Sequence, residues 1–96
     1  LEKNLIFDID VVGALNIKSQ FFSKALSIFI MPPSLEILEE RLRYRGTENA
    51  NSLSKRLRKA KGEMKRSEEF DKVIINKNLQ VAIDQVSSII KIFLQK

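Results

Sequence analysis

No cysteine, histidine or tryptophan occurs in this chain of 96 residues, and it holds only three glycines and two prolines. Without cysteine, neither a disulfide framework nor a thiolate metal site is possible. Without histidine, the commonest general base and the commonest transition-metal ligand are both missing. No apolar run approaches the roughly 20 residues that cross a bilayer, and no signal-peptide pattern stands at the start. The expectation is an intracellular, cytoplasmic protein with no membrane partner. Hydrophobic residues make up 44% and charged ones 30%, the balance of a soluble globular chain rather than a disordered one. The length allows one domain with a modest core.

What the chain has in quantity is positive charge in one place. Between Arg41 and Arg66 ten Lys or Arg stand against two acids, Glu48 and Glu63, while the remainder is net acidic. A local excess of this kind points to one anion-facing surface. Its centre is RLRYRGTENANSLSKRL, Arg41 to Leu57, which sets Arg41, Arg43, Arg45 and Arg56 around a short RGTE turn. Arginine carries a permanent charge and a planar fork of donors that fits phosphate oxygens two at a time. Gly46 can end one helix and the polar run after it can start another. The expected object is a hinged, basic helical hairpin able to fold over an anion.

In chain order, Asn4 to Asp10 (NLIFDID) reads as a short parallel strand buried on both faces. Asp8 and Asp10, two residues apart, point to one side of it, at the strand end where open α/β sheets bind ligands. The plainer reading is that these acids cap the next helix. That helix runs from Val11 to about Gln20, with Val11, Ala14 and Leu15 inward and Lys18 exposed. Phe21 and Phe22 are expected to pack as the chain turns back. Leu26 to Met31 is a second strand, stopped by Pro32 and Pro33. Ser34 caps a helix with an inward stripe of Leu35, Leu38 and Leu42, closed by Gly46. The next helix starts between Thr47 and Ser52, its apolar positions Leu53, Leu57, Ala60 and Met64 spaced i, i+4, i+7, i+11. Ser67 to Asp71 is an acidic connector, and Val73 to Ile75 a third strand ending at Asn76. Asn78 caps a last helix with a broad face of Leu79, Ala82, Ile83, Val86, Ile89, Ile90 and Phe93. Such alternation argues for an α/β fold with a parallel sheet.

Five of these stretches, DIDVVGA (Asp8 to Ala14), FIMPPS (Phe29 to Ser34), RLRYRGTE (Arg41 to Glu48), KRL (Lys55 to Leu57) and EFDKVIIN (Glu69 to Asn76), fall in the order and spacing of guanylate kinases. The chain resembles the carboxyl-terminal half of that family, over residues 1–96, with a LID at about 41–66. The resemblance implies part of a P-loop nucleoside-monophosphate-kinase fold, a parallel sheet with flanking helices and a helical LID. It implies phosphoryl transfer from ATP to GMP, with Mg²⁺ accompanying the ATP. Chemistry of this type needs charge neutralisation and alignment more than covalent help. By resemblance Arg45 and Arg56 reach the phosphates being transferred, Arg41 stacks on or borders the adenine, and Asn76 reads its edge. Asp8 would hold the magnesium through its water shell. Asp10 would face the GMP side, placing either the guanine or the metal. Arg43, Arg58, Lys59 and Lys61 are read as solvated surface charge, and Asn76 keeps the alternative of a plain turn residue.

Two departures bear on activity. Val12 stands where the family usually has glutamine, which removes a hydrogen-bonding side chain near the GMP site. No G-x-x-x-x-G-K-[ST] occurs, so the chain offers no backbone cradle or lysine for a triphosphate. It begins with Leu1 rather than methionine, as an excerpt does. The expected partners are ATP and GMP in the complete enzyme, and either the missing half or a second copy at the exposed strand edges. The piece alone is expected to be inactive. Two other readings are a non-enzymatic guanylate-kinase-like interaction module and a basic nucleic-acid-binding fragment. Retention of the LID arginines argues against the first. Tyr44, the lone aromatic of the basic stretch, gives the second little base stacking.

Overall fold

The computed structural model describes residues 4–46 and 49–95. Helix α1 spans Val11–Phe21, strand β1 Ile28–Met31, helix α2 Leu35–Arg45, helix α3 Ala50–Lys65, strand β2 Lys72–Ile75 and helix α4 Leu79–Leu94. Single 3₁₀ turns, Phe22–Lys24 and Ser67–Glu69, follow α1 and α3. The two strands are parallel and directly paired, with Ile28 opposite Lys72 and Met31 opposite Ile75. Parallel neighbours need a long crossover. Here α2 and α3 supply it, and they pack against each other.

Local chemistry sets most element ends. Ser34 Oγ accepts from the Ile37 amide at 3.1 Å and so starts α2. Gly46 ends it in the left-handed region at φ 67°, where a side chain is disfavoured. Asn49 and Ser52 form a reciprocal capping box at the start of α3. Asn78 Oδ1 accepts from the amides of Gln80 and Val81 at the start of α4. Pro32 lacks an amide hydrogen and β1 stops at Met31. The Thr47–Glu48 part of the expected RGTE turn lies outside the described residues.

Three expectations are corrected. Asn4 to Asp10 is not a strand. A strand exists only when its backbone is paired, and among the described residues the sheet consists of β1 and β2 alone. Leu5 and Ile6 are consequently 74% and 87% exposed. Phe21 and Phe22 are also exposed, because the chain reverses at Phe22 through a positive φ of 47°. Lys18, expected in solvent, is partly covered and bonded, as described below.

The core is thin. Among the described residues the buried apolar side chains are Val11, Leu42, Leu53, Ile74 and Ala82. Phe29 and Phe70 add an edge-to-face ring pair at 5.2 Å beneath the strands. The accessible surface is 7811 Å², against about 5,700 Å² for a compact monomer of this mass. The radius of gyration is 15.1 Å, against about 12–13 Å for a closed domain of this length. Exposed apolar side chains, among them Leu5, Ile6, Phe7, Ile9, Val12, Ile30, Val81 and Ile83, contribute to the excess surface. No helix among the described residues is long and apolar enough to cross a membrane.

Candidate functional site

The carboxyl ends of β1 and β2 form one edge of the molecule, and the amide of Asn76 closes it by donating to the Met31 carbonyl at 2.8 Å. From Met31 the chain passes through Pro32 and Pro33 into α2, so α2 rises from this edge. Arg41, on α2, returns to it: its Nη2 donates to the Asn76 carbonyl at 2.9 Å. Two of the residues singled out in the sequence, 35 positions apart, therefore meet. Their contact uses the main-chain carbonyl of Asn76 rather than its side chain, so the amide is not consumed by it.

Arg45 lies one turn beyond Arg41 on the same side of α2 and is exposed. Arg56 projects from the first half of α3 and is also exposed. Arg43 stands off Glu39 at 3.6 Å, a solvent-screened pair of small energetic consequence. Tyr44 is 93% exposed.

The acidic residues lie elsewhere. Asp8 is exposed on the extended segment before α1. Asp10 caps α1, its Oδ1 accepting from the Gly13 amide at 2.8 Å. The plainer reading of this acid thus holds in the geometry, and it leaves room for a second role. A Cβ at Gly13 would come within 2.9 Å of Asp10 Oδ1, so a side chain there would displace the capping carboxylate. Asp10, Val11 and Val12 form one wall of a shallow groove of about 200 Å³, whose other wall is Lys59, Gly62, Glu63 and Arg66 of α3 and its end. Arg66 forks onto Glu69, Nε to Oε2 at 2.7 Å and Nη2 to Oε1 at 3.1 Å. That hydrogen-bonded pairing lowers the Glu69 carboxyl below its ordinary value and raises the Arg66 guanidinium above its own. Arg45, Arg56 and Asp8 do not line the groove.

Sequence reasoning missed a third cluster at the opposite, amino-terminal end of the strands. Lys18 Nζ lies 2.8 Å from Asp71 Oδ2 and donates to the carbonyls of Phe22 and Ala25, both at 2.7 Å. Asp71 Oδ2 also accepts from the Ser27 amide at 2.9 Å and its hydroxyl at 3.2 Å, and the Ser27 Oγ accepts from the Asp71 amide. Partial burial raises the Asp71 pKa, but the hydrogen bonds from Lys18 and Ser27 outweigh it and the net shift is downward. Lys18 and Asp71 are 53 positions apart, and no local pattern relates them. A lysine in the last turn of α1, suited to that end of the helix dipole, was the only available signal.

Among the described residues no three acidic side chains converge on one point.

The geometry defines an α/β protein in which a parallel strand pair is touched at its carboxyl edge by Arg41 of α2, a helix packed against the basic α3. Comparison with known proteins gives the family. The guanylate kinase family model matches residues 1–92. The guanylate kinase of Chlorobium chlorochromatii is 47% identical over 92 residues, 96% of this chain and 48% of that relative. The guanylate kinase of Bacteroides thetaiotaomicron is 46% identical, covering 100% of this chain and 48% of its own length. That of Porphyromonas gingivalis is 42% identical, covering 99% and 50%. The chain belongs to the guanylate kinase family, and it spans about half the length of the curated relatives it matches.

Proposed function

We propose that this chain is the carboxyl-terminal, LID-bearing part of a guanylate kinase, transferring a phosphoryl group from ATP to GMP to give ADP and GDP. The observation that carries the reading is the Arg41–Asn76 contact, which ties the basic hairpin to the carboxyl edge of the strand pair. A guanidinium held in one plane at that edge offers a flat, cationic face for an adenine ring. Asn76 supplies an amide with both a donor and an acceptor for the ring's edge.

Arg45 and Arg56, exposed on α2 and α3 within the LID at about 41–66, would meet the phosphates. Their task is to offset the charge that spreads over the phosphoryl oxygens as the group moves between nucleotides. Asp10 would face the GMP side, where it would orient the guanine or the metal, and Asp8 would hold Mg²⁺ through water. The magnesium neutralises phosphate charge when it is bound with ATP. Val12 leaves the GMP side one hydrogen-bonding group poorer than the family's usual glutamine.

The sequence holds no phosphate-cradling glycine loop, and the chain by itself is inactive on this reading. The excess surface and the unpaired Asn4 to Asp10 segment are what a polypeptide complement, supplying the neighbouring strand, would cover. The enzyme would act in the cytoplasm. The test is a chimera in which this chain replaces the matching part of the Chlorobium chlorochromatii relative, assayed for GMP-dependent release of ADP. Turnover is expected, and Arg45→Met and Arg56→Met should each lower it by roughly 10²–10³-fold with the fold retained. Variants as fast as their parent would refute the assignment.

A further inference from the structure

The Lys18–Asp71–Ser27 cluster stands apart from the phosphoryl transfer proposed above, and it is densely bonded. An ammonium has three donors, and Lys18 finds three oxygens within 2.8 Å, two carbonyls and one carboxylate. Its acceptors belong to three successive parts of the fold: Phe22 to the turn after α1, Ala25 to the approach to β1, Asp71 to the approach to β2. Ser27, buried, locks the two strand approaches together through its backbone and hydroxyl. The cluster is a joint between α1 and the foot of the strand pair.

The joint matters because α1 has little else to hold it. Val11 is its one buried residue, and Ala14, Leu15 and Ile17 are only half-buried. It has 11 residues, among them Gly13, Asn16 and Ser19, which favour helix poorly. A helix of that length is marginal in water on its own. If α1 lets go of the strands it melts, and the cap at Asp10 goes with it. The joint and the site sit at opposite ends of α1, since Lys18 is in its last turn and Asp10 is its cap.

We propose that Lys18 and Asp71 are positioning residues for the acidic end of the site: by joining α1 to the strand approaches they keep α1 helical and so keep the Asp10 carboxylate in place. The functional half of this statement rests on the reading of Asp10 given above, while the joint itself does not.

Amide hydrogen exchange on the chain carrying Lys18→Met, Asp71→Asn or both tests it. The amides of Gly13 and Ala14, which bond to Asp10 Oδ1 and Asp10 O, report on the cap. Those of Asn76 and Ala82, bonded to Met31 O and Asn78 O, report on the strand pair and α4. Each single variant should speed exchange at Gly13 and Ala14 roughly tenfold, with Asn76 and Ala82 moving by less than about twofold. The double variant should be no faster than the faster single one, because both remove the same joint. An equal rise at all four amides, outright unfolding included, overturns the proposal by reducing the pair to general stability. Unchanged exchange at Gly13 and Ala14, or additive effects in the double variant, also overturns it. The experiment uses no nucleotide, so its failure leaves the phosphotransfer reading standing. Conversely, full GMP turnover by the chimera carrying Asp10→Asn overturns the functional half and leaves the joint intact.

Discussion

Replacing Gly13 by alanine separates stability from function at the acidic end of the site. Gly13 is the third residue of α1, and its amide is bonded by Asp10 Oδ1 at 2.8 Å. A Cβ there would lie 2.9 Å from that oxygen and 3.4 Å from Ile9 Cδ1. The first distance is too short, and the carboxylate, at the end of a short side chain, is the group that can yield. Two effects then oppose each other. Alanine favours a helix over glycine by about 0.8–1.0 kcal/mol in an interior and less in the first turn. Losing the Asp10 cap costs about 1 kcal/mol. The net change should be within about 0.5 kcal/mol, a shift in thermal midpoint of less than about 4 °C for a chain of this size. Asp10→Ala removes the cap with no compensation and should lower the midpoint by about 4–8 °C. Circular dichroism melts of both variants beside the parent make the comparison. In the chimera, Gly13→Ala should cut GMP turnover while leaving the melt almost unchanged. Gly13→Ala as destabilising as Asp10→Ala would mean that the carboxylate cannot move aside, and the reasoning would fail. A variant stabilised by the full propensity gain, with turnover intact, would show that the cap survives and would fail it equally.

Two further outcomes follow from burial and charge. The Asp71 carboxyl titrates below its ordinary value in the folded chain, so its stabilising effect is complete above the unfolded value of 3.8 and is lost as pH falls through the lower folded one. The midpoint difference between the parent and Asp71→Asn should therefore hold steady above about pH 5 and shrink progressively below about pH 4; a difference that does not shrink on acidification would contradict the ion pair. Leu42, 5% exposed, and Ile6, 87% exposed, should respond oppositely to truncation. Leu42→Ala should cost about 2–5 kcal/mol and Ile6→Ala less than about 0.5 kcal/mol, as read by urea denaturation. Comparable losses would mean that Ile6 is packed in solution.

What could be seen in the sequence was what neighbours in the chain decide. Ser34, Gly46 and Asn78 end their helices where a cap rule puts them, because a cap is a contact within four residues. The strands expected at Leu26 to Met31 and Val73 to Ile75, and found at Ile28–Met31 and Lys72–Ile75, were visible because each centres on a short apolar run bounded by turn residues. The NLIFDID run has the same appearance and is not a strand, since hydrophobicity reports a preference for burial while pairing needs a partner. Lys18 looked solvated because its partners lie in the turn after α1 and at Asp71, and no spacing rule reaches 53 positions. Within the site, Arg41 and Asn76 were both named, but their meeting was not. A main-chain carbonyl is the same at every position, so no residue type could have signalled that bond.

A surface some 2,000 Å² larger than the chain's mass warrants has a thermodynamic consequence. Were a complement to shield the wetted hydrocarbon of Leu5, Ile6 and Phe7, folding and association would become a single equilibrium, because its binding free energy would add to that of the native state. The melting point of this polypeptide would then not be a fixed property of its sequence. It would rise with the logarithm of the concentration of such a complement, and the chain would be as durable as the company it keeps.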